Sequence, residues 1–354
     1  MHFKKKYPFQ NKNKKFFNDE ENDTVKGSLF YTIYNYIFGL LNLFKNGIFK
    51  NKKINYLSNS IHNFDNILIE SLNSPVIIPM GHATVLIVYK GITIITDPIF
   101  YTPSIFIKRY VNSIPCKELL PKIDYILISH NHPDHLCMKS LNFLKNINPN
   151  LKCIIPLENG KFIKKAEIDS FNELSWWQEV TFNKGNLKIK FTSLPAKHWS
   201  QNWLFDKNDS LWCSWMIELN NYKIYFAGDT AYSSHFSEIQ SLYKNIDCAL
   251  LPIAPYEPEN HNLDSHMNTQ EAFNAFIDLQ SDLFIPIHWG VFNYGLEPIA
   301  EPIEKIIHIM ENNNCIEKLK GKNIGELIHL EEKPIIIKEN LKSKNIENKN
   351  LLQQ

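Results

Sequence analysis

The chain has 354 residues, enough to bury a sizeable core in one large domain or two smaller ones. Its 38 Lys and Arg nearly balance 37 Asp and Glu, and a net charge of +1 argues neither for a nucleic-acid surface nor for an acidic one. Six cysteines, at 116, 137, 153, 213, 248 and 315, form no CxxC pair and no regular spacing. That argues against a disulfide framework or zinc ribbon and makes a cytoplasmic location the expectation.

Residues 1–27 are polar and charged, with lysines at 4, 5, 6, 12, 14 and 15, and are expected to be loosely ordered or draped over the body. The aromatic and aliphatic run 29–44 follows, bracketed by Lys26 and Lys45. It is short and polar for a membrane span, which needs about twenty apolar residues. A helix lying on an anionic membrane surface and a helix packed on the domain both fit it. The expected organisation is a basic N-terminal segment over 1–73, a folded body over 74–331 and a flexible tail over 332–354.

From Val76 the pattern changes to short β-rich segments: 76–79, 84–89 and 92–96, with Lys90-Gly91 as a hairpin turn. Further strands are expected at 123–128, 153–156, 187–193, 213–219, 223–227, 249–252 and 283–287. Helical segments fall at 137–147, 159–168, 235–245, 268–280 and 299–312. Two groups of strands interleaved with helices predict two packed sheets covered by helices outside, an αββα sandwich.

The densest stretch is Ser129-His130-Asn131-His132-Pro133-Asp134-His135, directly after the apolar strand 123–128. Chemistry in α/β proteins collects at such strand ends. His130 and His132, two apart in extended chain, send both imidazoles to one side. Asp134 and His135 open a predicted helix running to 147 and turn two more ligands toward the same pocket. One metal does not take four such ligands comfortably, so a pair is expected, with His130 and His132 on one ion and Asp134 and His135 on the other. Imidazole and carboxylate ligands suit zinc, and less often manganese or iron. Cys137, close by, reads as a buried, inert thiol.

Three later residues share the strand-end address: His198 after 187–193, Asp229 after 223–227 and His288 after 283–287. With the first motif they complete two three-ligand sets around one bridging carboxylate.

At this point the sequence resembles the metallo-β-lactamase fold superfamily, whose signature is His-x-His-x-Asp-His followed by a later His, Asp and His. It is similar in particular to the N-acylphosphatidylethanolamine-hydrolysing phospholipase D family. The phrases that carry this are Gly81-His82-Ala83-Thr84, Thr96-Asp97-Pro98-Ile99-Phe100, Ser175-Trp176-Trp177-Gln178-Glu179, Leu211-Trp212-Cys213-Ser214-Trp215, Phe226-Ala227-Gly228-Asp229-Thr230, Tyr256-Glu257-Pro258 and Ile287-His288-Trp289-Gly290. They come in the family's order across about 76–295.

The resemblance implies two zinc ions per chain, with His130, His132 and His198 on one, Asp134, His135 and His288 on the other, and Asp229 bridging. It implies a role for His266 near the substrate phosphate, although Asn268 stands where the family usually has an acidic residue and Ala231 where it has glycine. Asp134, Asp229 and His266 become the expected catalytic groups, and Tyr256 and Trp289 join His266 as expected substrate contacts. Asp97 and His82 are expected to orient ligands rather than bind metal.

The implied reaction is zinc-dependent cleavage of N-acylphosphatidylethanolamine to N-acylethanolamine and phosphatidic acid by a metal-bridging hydroxide. A phospholipid partner, peripheral membrane contact through the N-terminal segment and a homodimer belong to the same expectation. The alternatives are a soluble metallo-hydrolase of the same fold acting on a small phosphodiester or lactone, and a non-catalytic membrane-surface module. The latter is disfavoured because all seven metal positions are present. A nuclease is disfavoured by the lack of a basic stripe interleaved with aromatics.

Overall fold

Alternation along the strands sets the layers. All six residues of Thr84–Tyr89 are buried. Val85, Ile87 and Tyr89 enter one apolar core, while Leu86 and Val88 enter another on the opposite face. The same division recurs in Cys248–Pro252, where Cys248 and Leu250 face the first core and Ala249 and Leu251 a third. A strand apolar on both faces has to be covered on both faces.

The computed structural model of the chain describes residues 8–10, 14–18, 64–104, 107–111, 120–259 and 263–333. The predicted apolar helix 29–44, and the tail beyond Lys333, lie outside the described residues. A short antiparallel pair, Phe9–Gln10 (β1) and Phe16–Phe17 (β2), precedes the body. One sheet contains Val76–Gly81 (β3), Thr84–Tyr89 (β4), Ile92–Thr96 (β5), Tyr125–Leu127 (β6), Lys152–Pro156 (β7), Phe171–Leu174 (β8) and Ile328–His329 (β15), in the order β15-β3-β4-β5-β6-β7-β8. The other contains Glu179–Lys184 (β9), Leu187–Leu194 (β10), Ser214–Leu219 (β11), Tyr222–Phe226 (β12), Cys248–Pro252 (β13) and Leu283–Ile287 (β14), in the order β14-β13-β12-β11-β10-β9. Strands β5 to β8 run parallel, as do β12 to β14.

Between the sheets lies a core that includes Ile87, Leu127, Phe191, Trp215, Ile217 and Phe226. Outside the first sheet, Phe64–Glu70 (α1), Met138–Ile147 (α2) and Gly160–Lys165 (α3) bring Ile67, Leu141, Leu144 and Ile163 against Ile78, Ile95 and Ile126. Outside the second, His235–Leu242 (α4), Thr269–Leu279 (α5) and Glu301–Asn312 (α6) bring Phe236, Ala272, Phe276 and Ile306 against Tyr225, Ala249 and Phe284. The result is the expected four-layer αββα sandwich. No described helix is long and apolar enough to cross a membrane.

Two expectations change. The helix predicted to open at Asp134 begins at Met138 instead, because residues 132–136 form a tight turn in which the N–H groups of His135 and Leu136 both donate to the His132 carbonyl, at 2.9 and 2.8 Å. The turn lets Asp134 and His135 face inward, which continuous helix from 134 would not. The sequence pattern does not predict β8 and β9, nor the two-residue β15. Each is an edge strand of its sheet, and the half-exposed patterns of Phe171–Leu174 and Glu179–Lys184 lack a strong apolar signal.

Candidate metal centre

Loops leaving the C-terminal ends of β5, β6, β10, β12 and β14 deliver Asp97, residues 129–135, His198, Asp229 and His288 to one place, and the β3–β4 turn adds His82. His82, Asp97 and His288 hold φ values of +55°, +34° and +62°. Non-glycine residues in this region are strained, and strain of this kind concentrates at functional sites.

The predicted ligands assemble in two groups. In the first, Nε2 of His130 lies 2.7 Å from Nδ1 of His132, which lies 3.3 Å from Nε2 of His198. In the second, Oδ2 of Asp134 stands 3.7 Å from Nε2 of His135 and 3.9 Å from Nε2 of His288. Oδ2 of Asp229 faces both groups, 4.0 Å from His130 Nε2 and 3.9 Å from His198 Nε2 on one side, and 3.2 Å from His135 Nε2 and 3.1 Å from His288 Nε2 on the other.

Several of these buried atoms lack hydrogen-bond partners: Nε2 of His135 and His288 approach Asp229 without hydrogen-bond geometry, and Oδ1 of Asp229 is unsatisfied. Buried polar atoms left unpaired are costly unless something sits between them. A nitrogen- and oxygen-rich set of this kind fits one divalent ion in each group, with Asp229 shared.

The protonation states agree with that fit. Burial opposes ionisation of Asp134 and Asp229, yet the neighbouring histidines, His135 foremost, hold both carboxyls below the usual carboxylate range. Burial pushes His132 down to about 4 and His82, His198 and His266 to about 3, and it pushes His130 well below its ordinary value. Ionised carboxylates and neutral imidazoles are what metal binding requires. His135 is the exception: against the opposing effect of burial, Asp229 and Asp134 raise it well above its ordinary value.

The two residues expected to orient ligands both contact the ligand set. Oδ2 of Asp97 lies 2.7 Å from Nδ1 of His135 and accepts from the Ser129 hydroxyl at 2.6 Å, and Ser129 Oγ in turn lies 2.8 Å from Nδ1 of His130. Nε2 of His82 lies 2.9 Å from Oδ2 of Asp134. His266 joins the cluster as well, with Nδ1 3.8 Å from Oδ2 of Asp229 and its ring 5.2 Å from that of His198 and 5.5 Å from that of His288.

The expected substrate contacts are less directly placed. Tyr256 is buried and its hydroxyl lies 2.9 Å from a Glu301 carboxylate oxygen, and the buried Trp289 donates its indole N–H to the Pro286 carbonyl at 3.1 Å. Asn268 caps α5 in a reciprocal pair with Glu271, which gives its side chain a helix-end role.

Sequence reasoning missed four participants. Ser129, inside the motif, relays Asp97 to His130. The Ser265 carbonyl lies 2.8 Å from Nδ1 of His198. Tyr294 packs beside His82 and His288 at ring separations of 5.9 and 6.2 Å, and burial, followed by Asp134, drives its phenol well above the ordinary value. Asn18 bonds both backbone groups of His198. The tryptophan phrase at 211–215 brackets the site from behind: Trp215 donates to the Ile128 carbonyl at 3.0 Å, Cys213 N–H to Ser129 at 2.9 Å and Trp212 to Ala196 at 2.9 Å.

Comparison with known proteins agrees with this fold. The Beta-lactamase superfamily domain matches residues 93–289. The mitochondrial N-acyl-phosphatidylethanolamine-hydrolyzing phospholipase D of Saccharomyces cerevisiae is 35% identical over 242 residues, 66% of this chain and 51% of that protein, so the match spans about half the yeast protein's length. N-acyl-phosphatidylethanolamine-hydrolyzing phospholipase D 1 of Caenorhabditis elegans is 33% identical over 244 residues, 66% of this chain and 68% of that protein. Among solved structures, the metallo hydrolase Igni18 of Ignicoccus hospitalis shares the fold at a TM-score of 0.56 and 20% identity, over 73% of this chain and 100% of that one. The chain therefore belongs to the metallo-β-lactamase superfamily and, within it, to the N-acylphosphatidylethanolamine-hydrolysing phospholipase D family.

Proposed function

We propose that the chain is a dinuclear zinc phosphodiesterase of phospholipase D type that hydrolyses N-acylphosphatidylethanolamine to N-acylethanolamine and phosphatidic acid. The observation that carries this reading is the single oxygen of Asp229 facing nitrogens of both histidine groups. His130, His132 and His198 would hold one ion, Asp134, His135 and His288 the other, and Asp229 both. Bound there, zinc ions lower the pKa of water toward neutrality and neutralise charge growing on phosphoryl oxygens.

In the reaction, a water oxygen forms a bond to phosphorus, the bond from phosphorus to the ethanolamine oxygen breaks, and a proton ends on that oxygen. Asp97, Ser129 and His82 hold His135, His130 and Asp134 in register, so the ligands need little reorganisation. His266, at the rim of the Asp229 cluster, is placed to donate a hydrogen bond to a phosphoryl oxygen or to the leaving oxygen.

A lipid rather than a soluble ester is favoured by the loop after His198. Trp203, Leu204 and Phe205 are 68%, 65% and 88% exposed in succession. The loop is built rather than loose: Asn208 N–H donates to the Ser200 carbonyl at 2.7 Å, Asp206 Oδ1 accepts from the N–H groups of Asn202 and Trp203 at 3.0 and 2.7 Å, and Asn202 donates to the Asn131 carbonyl at 2.8 Å. Apolar side chains fixed beside the site suit a substrate held in a membrane surface.

The test is product analysis with N-acylphosphatidylethanolamine, phosphatidylcholine and a soluble phosphodiester. Zinc-dependent release of N-acylethanolamine, reduced in His266→Ala at unchanged zinc content, is expected. Hydrolysis of the soluble ester alone would overturn the lipid assignment.

A further inference from the structure

His198 is held at three places, and one of the holders comes from the far N-terminus. Its imidazole is fixed through Nδ1 by the Ser265 carbonyl at 2.8 Å. The preceding residue, Lys197, is stitched to the Asp229 loop, donating its N–H to the Thr230 hydroxyl at 2.9 Å and accepting from Ala231 N–H at 2.9 Å. The backbone of His198 itself is met by Asn18. Its amide nitrogen donates to the His198 carbonyl at 3.0 Å, and its amide oxygen accepts from His198 N–H at 3.2 Å and from the Trp212 indole at 3.1 Å.

Asn18 is only 9% exposed, and the strand just before it is anchored. Phe16 is buried in the core between the sheets, its N–H donates to the Asn208 carbonyl at 2.9 Å, and Lys15 pairs with Asp209. Without Asn18, the N–H and C=O of the fully buried His198 would lose these partners, and the indole would keep only its bond to the Ala196 carbonyl. A planar amide that both donates to and accepts from one residue fixes the two peptide groups flanking that residue, and through them the reach of Nε2 toward His132.

We propose that Asn18 is a positioning residue of the metal centre, setting His198 for the three-histidine site from a segment 180 positions upstream. The inference rests on the metal-centre reading above. The residues expected to be loosely ordered thus include part of the site's scaffold.

The experiment is zinc titration of the full-length chain against a competing chelator, with the Co2+ absorption spectrum as a second readout. Asn18→Ala and Asn18→Asp are compared with Ile303→Ala, which trims a buried α6 side chain on the far face of the second sheet. Asn18→Asp keeps the volume and the acceptor, replaces the donor to His198 by a second acceptor facing its carbonyl, and adds a negative charge, while Asn18→Ala removes both partners without a charge.

The expected result is that both Asn18 variants bind one zinc as the wild type does and a second ~10–100-fold more weakly, with altered Co2+ bands, while Ile303→Ala lowers the melting temperature and leaves both affinities unchanged. Wild-type affinity for both ions in the Asn18 variants would overturn the inference alone. A wild-type chain that takes up no zinc would overturn the metal-centre reading and this inference with it.

Discussion

Oδ2 of Asp97 lies 2.7 Å from Nδ1 of His135, both side chains fully buried. That contact fixes which nitrogen of His135 faces the centre, and the bond from the Ser129 hydroxyl to the same oxygen, at 2.6 Å, extends the control to His130. Asp97→Asn presents a donor where an acceptor is needed. It is expected to weaken zinc binding ~10–100-fold, read by chelator competition, with Ser129→Ala milder because only His130 is affected. Unchanged affinity in Asp97→Asn would remove the orienting role.

Gly228 sits at φ +59°, and a Cβ added there would come within 2.5 Å of Ser129 Cβ. Both the backbone conformation and the close approach between the Asp229 loop and the histidine motif demand glycine. Gly228→Ala should lose about 1–3 kcal/mol of stability in the metal-free chain, measured by urea denaturation. A variant as stable as the wild type would show that the two loops tolerate separation.

The apolar loop tip yields a prediction on substrate presentation. Replacing Trp203, Leu204 and Phe205 together by serine should reduce turnover of lipid in phosphatidylcholine vesicles at least ~10-fold, given ~1.5–3 kcal/mol for burying each side chain, and leave turnover of a dispersed short-chain analogue unchanged. Equal losses on both substrates would place the loop's contribution elsewhere.

Acidity should destabilise the metal-free chain. His82, His198 and His266 titrate at about 3 and His132 at about 4 when folded, against about 6.5 in the unfolded chain. Groups lowered on folding leave the unfolded state binding more protons, so their stability contribution is complete above pH 6.5 and is lost as pH falls toward 3. His135, raised on folding, acts with the opposite sign, as do the raised carboxyls of Asp97 and Glu297. The contribution of His135 is complete below 6.5 and lost as pH rises, and the lowered histidines, His130 and His235 included, outnumber these groups. Between pH 6 and pH 5 the melting temperature should drop by about 3 °C or more, read by scanning fluorimetry in chelator. A flat or rising profile would contradict these shifts.

Much of the layering and the site was legible because both depend on local pattern. Runs such as Thr84–Tyr89 announce strands, and His198, Asp229 and His288 each stand just beyond such a run. The edge strand Glu179–Lys184 was not legible, since one exposed face and one sheet neighbour leave little apolar periodicity. Ser129 was hidden because a serine's relay depends on what lies on either side in space. Asn18 was hidden more thoroughly: no spacing links it to His198, and an asparagine in a lysine-rich segment carries no chemical signature. The turn at 132–136 escaped because the apolar helix after it continues the same periodicity.

The most direct measurement is the number of zinc ions retained per chain, by elemental analysis after equilibration and gel filtration, for the wild type beside Asp229→Asn. With one carboxylate oxygen shared between two histidine groups, the wild type should retain two ions, and Asp229→Asn should lose tight binding at both. A wild-type chain saturating at one ion or none, or a variant that keeps two with undiminished affinity, would contradict the shared centre.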